Sequence, residues 1–325
     1  MTRLYIRTPS RLHFGLFSWG EQAPRQFGGI GLMIDRPGVE LTAEPAPNWG
    51  AEGPLADRTL QVARQVAERL ALEGTIPKPV HFWIHRAPAE HVGLGTGTQL
   101  SLAVARAVAA LSGRSDLPAA TLALLTGRGL RSGIGLHGFD QGGLIVDGGR
   151  RGPDGVPPLI IRHPFPTGWS VLVVLPRPET GLHGPREVEA FSQLPPVPDA
   201  VTDRLCRLVL LGLLPAIVER DLAAFGAALT AIQFHVGRLF APVQGGPYAH
   251  PDAEAIVDFL RSQGLHGVGQ SSWGPALYAF SQAPADERLR LVRRLLDRFR
   301  LDPEAIFWTE ASSRGAISKT ESSES

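Results

Sequence analysis

The stretch that most limits what this chain can fold into is Ala87-Pro88-Ala89-Glu90-His91-Val92-Gly93-Leu94-Gly95-Thr96-Gly97-Thr98-Gln99. It follows a strand-like run, Val80-His81-Phe82-Trp83-Ile84-His85, and opens into an Ala/Leu/Val-rich helical run from Leu100 to Leu111. Three glycines alternate just before the helix, with two threonine hydroxyls among them. Such a loop lets backbone N–H groups converge on an anion, and a helix N-terminus adds about half a positive charge. Strand, glycine loop and helix in this order predict phosphate-binding chemistry.

A chain of 325 residues, 43% of them hydrophobic, is long enough for one large domain or two ordinary ones with a substantial core. Lys+Arg number 32 and Asp+Glu 31, a formal charge of +1 that argues against nucleic-acid or membrane-surface partners. Cys206 is the sole cysteine, which excludes an intramolecular disulfide and a cysteine-based zinc site. Within Leu205-Cys206-Arg207-Leu208 it reads as a small core residue of a helix. The first seven residues lack the apolar core of a signal peptide, and no apolar run approaches the ~20 residues of a membrane span. The expected location is cytoplasmic.

Patterning predicts a strand-rich first half, with strands at Leu4–Thr8, Leu12–Phe17, Gly31–Ile34 and Val39–Ala43, then a helix over Leu55–Leu72. A short helix is expected at Leu117–Leu125, with Ser115-Asp116 as its cap and first turn. Arg150–Pro158 has the composition of a boundary loop, and Ser170–Leu175 that of a fully buried strand. The second half turns helical, over Asp199–Leu214, Asp221–Leu239, Pro251–Ser262 and Ala285–Arg298. The polar end is expected to be disordered, which divides the chain into 1–160, 161–316 and a tail at 317–325.

Four further segments carry chemistry-bearing residues. In Thr8-Pro9-Ser10-Arg11-Leu12-His13-Phe14-Gly15-Leu16, Arg11 and His13 alternate with apolar neighbours and would emerge on one face of a strand. A guanidinium suits a phosphate and an imidazole can donate, accept or move a proton. Arg25 stands beside Phe27-Gly28-Gly29-Ile30-Gly31, which suits either an anion-lining segment or an ordinary hairpin. Arg131-Ser132-Gly133-Ile134-Gly135-Leu136-His137-Gly138-Phe139-Asp140 is too glycine-rich for a good helix and too apolar for a solvent loop. Asp140 or Asp147 would suit a magnesium ion or a base, although an aspartate beside glycine is more often a turn former. Gln270, Ser271, Ser272 and Trp273 offer donors and an aromatic wall.

Taken in order, these segments resemble the GHMP kinase superfamily, whose Pro-x-x-x-Gly-Leu-Gly-Ser-Ser loop cradles nucleotide phosphates; here Pro88 to Thr98 matches in outline. Thr96-Gly97-Thr98-Gln99 departs from the kinase Ser-Ser-Ala and points to a narrower family. Ser10–Leu16, Phe27–Leu32, Gly93–Gln99, Arg131–Gly135 and Gly143–Gly149 look like the β-ribofuranosylaminobenzene 5′-phosphate synthases. Gly181–Glu187, Gln270–Pro275 and Ser313–Ala316 extend the match to nearly the whole chain.

The resemblance implies an α+β fold of two domains, GHMP kinase-like, the first related to a ribosomal-protein fold (ribosomal protein S5 domain 2-like) and the second ferredoxin-like, with the site between them. It implies a decarboxylating pentosyltransferase of tetrahydromethanopterin biosynthesis. Such an enzyme joins 5-phosphoribosyl 1-diphosphate to 4-aminobenzoate or 4-hydroxybenzoate and releases pyrophosphate and carbon dioxide. Magnesium is expected, held by Asp140 or Asp147, while no pyridoxal phosphate or nicotinamide is needed. Gly93, Leu94, Gly95, Thr96, Gly97, Thr98 and Gln99 are assigned to the phosphates with Arg11 and Arg25 as partners, and Gly28, Gly29, Ser132 and Gly133 to the substrate. His13 is the candidate for contacting the benzoate or moving a proton, Asp140 a candidate base, and Gln270, Ser271, Ser272 and Trp273 would close the pocket. A homodimer is expected from the superfamily. The rival readings are an ATP-dependent GHMP-type kinase and a non-catalytic sensor of a phosphorylated ligand.

Overall fold

The structure, a computed structural model, describes residues 2–152, 155–176 and 184–322. In chain order the strands are β1 (Thr2–Arg7), β2 (Ser10–Ser18), β3 (Phe27–Ile34), β4 (Glu40–Pro45), β5 (Gly50–Glu52), β6 (Val80–Arg86), β7 (Leu144–Asp147), β8 (Leu159–His163), β9 (Ser170–Val174), β10 (His266–Gln270), β11 (Leu277–Ser281), β12 (Ile306–Glu310) and β13 (Ile317–Ser322). The helices are α1 (Ala56–Leu72), α2 (Thr96–Leu111), α3 (Ala119–Thr126), α4 (Ile134–Gln141), α5 (Gly184–Gln193), α6 (Asp199–Leu208), α7 (Leu214–Glu219), α8 (Leu222–Gln244), α9 (Ala253–Ser262) and α10 (Ala285–Phe299). A π-helical turn at Val209–Leu213 joins α6 to α7.

Three sheets carry these elements, in the orders β13-β1-β4-β6-β5, β2-β3-β7-β8 and β10-β11-β9-β12. The first is covered by α1 to α3, with Leu4, Ile6 and Phe82 meeting Val62, Leu100 and Leu122 in one core. The α1 helix turns Val62, Ala63, Val66 and Leu70 inward at helical spacing, whereas α2 is buried almost all round. The second and third sheets share a core with α6 to α8, in which Phe14, Tyr278, Phe280 and Phe225 pack ring on ring. Every residue of β9 is buried: Val171 and Val173 face this core, and Leu172 and Val174 face α9 and α10.

The fold is the expected α+β class. Several local expectations change. The helix after the glycine loop begins at Thr96 rather than Leu100, so the threonines of the loop are its first turn. The segment read as too glycine-rich for a helix forms α4, because its glycines admit close neighbours: Met33 lies against Gly138 and Thr98 against Gly135. Tertiary packing outweighs the propensity loss of about 1 kcal/mol per glycine. Ser115-Asp116 does not cap α3; the backbone N–H of Ala119 donates instead to Asp140 Oδ2 at 2.9 Å. Cys206 is exposed on α6, with Leu205 buried beside it. The α8 helix, 23 residues, is long and apolar enough to cross a membrane, contrary to the sequence expectation; half of its apolar window is buried here in the core.

The division at residue 160 meets a chain that pairs β8 with β7, so the crossover to the third sheet follows His163. Residues 317–322, expected in a disordered tail, form β13 and pair with β1 over six residues, Thr2↔Ser322 to Arg7↔Ile317. Polar side chains suit an edge strand with one solvated face, and backbone pairing overrides composition. Just before it, Ser312 N–H donates to Met33 O and Ala316 N–H to Phe139 O, so the end of the chain is sewn back onto the first half. The Gly181-Leu182-His183 portion of the extended motif lies outside the described residues. A chain ended after Ala316 is expected to lose roughly 1–6 kcal/mol of stability, at about 0.2–1 kcal/mol for each of the six cross-strand pairs. A urea midpoint equal to that of the full chain would refute a stabilising role for β13.

Candidate functional site

Two sheets and the glycine loop meet at a cleft of about 320 Å³ lined by residues from β2, the β6–α2 loop, the α3–α4 loop, α5, α8 and the β10–β11 turn. Gly95 takes a left-handed φ of 74° before α2, and the aliphatic stem of Arg11 lies over it; a Cβ there would sit 2.7 Å from Arg11 Cγ. This close approach requires glycine. Arg11 also donates from Nη1 to Gly93 O at 3.2 Å and from its backbone N–H to Leu94 O at 2.9 Å. The helix N-terminus, with two first-turn N–H groups at Thr96 and Gly97 lacking a helical carbonyl, therefore opens beside a guanidinium.

One hydroxyl ties the loop to the third sheet. Ser271, fully buried, accepts from His13 N–H at 2.9 Å and donates to Gly93 O at 2.6 Å. Ser272 N–H donates to His13 O, and Ala276 N–H to Val92 O. Gln270 bridges outward, accepting from Ala249 N–H and donating to Ser272 O. Trp273 reaches the cleft wall with Phe240 and Phe191, its ring 4.6 Å and 5.2 Å from theirs.

His13 also lines the cleft, its Nε2 3.0 Å from Ser132 Oγ. Burial, and then the Arg11 charge, push His13 well below the ordinary histidine range, which keeps it neutral. Behind Ser132 stands Asp147, whose Oδ2 accepts from Gly133 N–H at 2.8 Å and from Ser132 Oγ at 3.4 Å, while Oδ1 accepts from Gly149 N–H at 2.9 Å. Burial raises its carboxyl to about 6, against the pull of those three hydrogen bonds.

Of the candidates the sequence offers, Arg11, His13, Gly93, Gly95, Thr96, Gly97, Thr98, Ser132, Gln270, Ser272 and Trp273 line the cleft. Leu94, Gln99, Gly133 and Ser271 stand just behind its wall: Leu94 in the core, Gln99 donating to Gly135 O, Gly133 on Asp147. Arg25 is not brought to it. Its Nε and Nη2 donate to Gly148 O at 2.5 Å and Gly149 O at 2.9 Å, fastening the turn after β7. Gly28 and Gly29 serve that packing too: a Cβ on Gly28 would meet Gly149 N at 3.3 Å, and one on Gly29 would meet Gly15 O at 2.8 Å and the His13 ring. Asp140 faces away, one oxygen 2.9 Å from Arg106 Nη2 and the other capping α3.

The sequence reading missed Arg128, His91, Phe191 and Phe240, and named Arg131 only as part of a motif. Arg128 and Arg131 flank a glycine in the α3–α4 loop, and that Arg-x-x-Arg spacing was the available signal. Arg131 sits 5.0 Å over the Phe191 ring, and a Cβ on Gly97 would lie 3.4 Å from Arg128 Nη2, so the missing kinase serine is where this arginine approaches. Among the described lining residues there are three arginines and two histidines and no carboxylate. Magnesium takes carboxylate oxygens; neither Asp140 nor Asp147 opens on the cleft, so these residues do not form the expected magnesium site. A larger groove of about 770 Å³, which holds Asp35 in an ion pair with Arg7, shares no lining residue with the cleft.

The fold and cleft define the GHMP kinase architecture. Residues 213–299 match the family described as GHMP kinases C terminal. Homoserine kinase from Cytophaga hutchinsonii superposes with a TM-score of 0.70 at 14% identity over 98% of this chain and 97% of that one. Mevalonate pyrophosphate decarboxylase from Streptococcus pyogenes gives 0.67 at 12%, over 96% and 97%. At such identity these show the fold alone. Proteins named beta-ribofuranosylphenol 5′-phosphate synthase are nearer in sequence. That of Methanothermobacter thermautotrophicus is 32% identical over 97% of this chain and 98% of its own length, and that of Archaeoglobus fulgidus 34% over 89% and 91%. The chain belongs to the beta-ribofuranosylphenol 5′-phosphate synthase family, and it is an enzyme of that kind.

Asp140→Ala is expected to lower stability by about 1–2 kcal/mol through the lost helix cap and ion pair while leaving turnover within about twofold. Thermal unfolding and steady-state kinetics on the same preparation check this. A loss of turnover with unchanged stability would return Asp140 to the site.

Proposed function

We propose that this chain condenses 5-phosphoribosyl 1-diphosphate with 4-hydroxybenzoate, expelling pyrophosphate and carbon dioxide. The observation that carries the reading is that the cleft brings three arginines together with an aromatic wall, Arg131 lying over the Phe191 ring where the two meet. Arg11, Arg128, Arg131 and the α2 N-terminus suit an anion of high charge. Trp273, Phe240 and Phe191 suit a flat benzoate ring. Family membership supports the reaction, and the relatives' named product, a phenol, supports the hydroxy acid over the amino acid.

In this reading the diphosphate is held while the bond from C1′ of the ribose to its oxygen breaks. Donors fixed in a cleft act at that developing charge without reorganising. The ring carbon bearing the carboxylate attacks C1′. The bond from that carbon to the carboxylate then breaks, and its electron pair restores the aromatic ring as carbon dioxide leaves. A kinase of this fold would place an aspartate at the phosphoryl group or its metal; the described lining has none, which disfavours that alternative.

The direct test follows labelled carbon dioxide from carboxyl-labelled 4-hydroxybenzoate and, in parallel, 4-aminobenzoate, with 5-phosphoribosyl 1-diphosphate and no ATP. Release that needs both substrates is expected, with the hydroxy acid preferred. No release from folded protein with either acid, together with ATP consumption in a substrate screen, would overturn the reading.

Two substitutions divide the cleft. Arg131→Gln is expected to raise KM for the diphosphate roughly 10- to 100-fold, from about 1.5–3 kcal/mol for a charged hydrogen bond. Trp273→Leu is expected to raise KM for the aromatic acid roughly three- to tenfold, from about 0.5–1.5 kcal/mol for ring stacking. Equal effects of either variant on both constants would show that the two ends are not separate.

A further inference from the structure

We propose that Asp147, acting through Ser132, holds His13 as the tautomer protonated on Nε2, so that Nδ1 accepts the phenolic proton of the hydroxybenzoate; this rests on the function proposed above. Ser132 and Asp147 are positioning residues here, and His13 is the group that meets substrate.

Ser132 Oγ lies 3.0 Å from His13 Nε2 and 3.4 Å from Asp147 Oδ2, and its hydroxyl has one hydrogen to give. Two chains satisfy the contacts. With Asp147 ionised, Ser132 donates to the carboxylate and must accept from His13, which places the ring proton on Nε2. With Asp147 protonated, the chain reverses: Ser132 donates to Nε2 and the ring proton moves to Nδ1. The backbone N–H groups of Gly133 and Gly149, one on each oxygen, favour the carboxylate form. The first chain therefore holds when Asp147 is charged, and it leaves Nδ1 as an acceptor.

An acceptor nitrogen repels a carboxylate and welcomes a hydroxyl, so the phenolic end of the acid is the end that faces His13. The steps then balance. Because burial and Arg11 disfavour a charged imidazole, the proton does not leave a resting phenol: as the oxygen's electron pair drives the para carbon onto C1′ and diphosphate leaves, the O–H becomes strongly acidic, its bond breaks and the proton goes to Nδ1. Loss of carbon dioxide returns the pair to the oxygen, which retakes the proton. An amino group in the same position already holds a lone pair to push and needs no base. The relay thus discriminates between the two aromatic acids.

Charged and titratable groups around the relay are Arg11 near His13, Arg131 preceding Ser132, Arg25 on the Gly148 and Gly149 carbonyls, and His137 beside Gly133. Burial lowers His137 from its ordinary value, against the pull of its hydrogen bond to Pro157 O and of the Asp140 charge. As pH falls through about 6, Asp147 takes a proton, the chain reverses and Nδ1 ceases to accept.

The first test needs no turnover. In ¹⁵N-histidine-labelled protein, with the His13 signals assigned by His13→Gln, long-range proton–nitrogen correlations at pH 8 are expected to show the Nε2–H form, and Ser132→Ala to lose that preference. Kinetically, Ser132→Ala is expected to lower kcat with 4-hydroxybenzoate roughly 100-fold or more, at the low end of general-base effects, and to abolish the acid limb near pH 6. KM for the diphosphate and kcat with 4-aminobenzoate should stay within about threefold, and Ser132→Thr should restore most of the loss. An Nδ1–H form in the wild type would overturn the relay while leaving the reaction intact, as would equal losses with both acids. If neither acid is turned over, the reaction fails, and with it the substrate role of His13, while the spectrum alone decides the tautomer.

Discussion

The hydroxyl of Ser271 is the interaction on which the cleft depends. It is buried, it accepts from the backbone of β2 and it donates to the glycine loop, partners that lie 258 and 178 residues away in the chain. Removing it would strand the buried N–H of His13, worth about 1–3 kcal/mol when left unsatisfied, and leave Gly93 O with Arg11 as its remaining side-chain donor. More than stability hangs on it. Ser271 sets the distance between Arg11, which lies over Gly95, and the aromatic wall that begins two residues later at Trp273. Arg11 and Trp273 are 262 positions apart in the chain, and one side chain of two heavy atoms keeps them in register.

The distribution of charge around that register explains why a kinase architecture serves a synthase family. The carboxylates that the sequence offers are spent elsewhere: Asp140 on Arg106 and the start of α3, Asp147 on two backbone N–H groups. Among the described lining residues the ionisable ones are arginines and histidines, set beside aromatic rings and neutral polar groups. Glycine at position 97 completes the change, since the room left by the missing side chain is where Arg128 and Glu90 come up to the first turn of α2. A leaving diphosphate suits such a site, and a phosphoryl transfer that needs an acidic group at the γ-phosphate does not.

Legibility in the sequence followed the range of the forces involved. The strand, glycine loop and helix from Val80 to Leu111, the buried β9 and the amphipathic α1 are local patterns, and each emerged within a few residues of its predicted bounds. Elements that depend on a distant partner did not. The α4 helix forms because Met33 and Thr98 fill against its glycines, and β13 forms because β1 offers an open edge. Arg25 looked like a phosphate ligand because an arginine beside glycines is the same string whether its fork meets an anion or two carbonyls. Arg128 and Arg131 went unassigned because loop arginines become a site only when a fold points them inward.

By itself, then, the sequence determined the strand, glycine loop and helix and most of the segments that meet around them, because backbone freedom, periodicity and residue chemistry are properties of short stretches, while the α+β class followed from the family resemblance those segments carry. Only the tertiary structure decided which arginines face the cleft, that no described carboxylate does, and that Asp147, Ser132 and His13 stand in line. Those are facts of direction and distance between residues up to 134 positions apart, counted from His13 to Asp147, and no local pattern carries them.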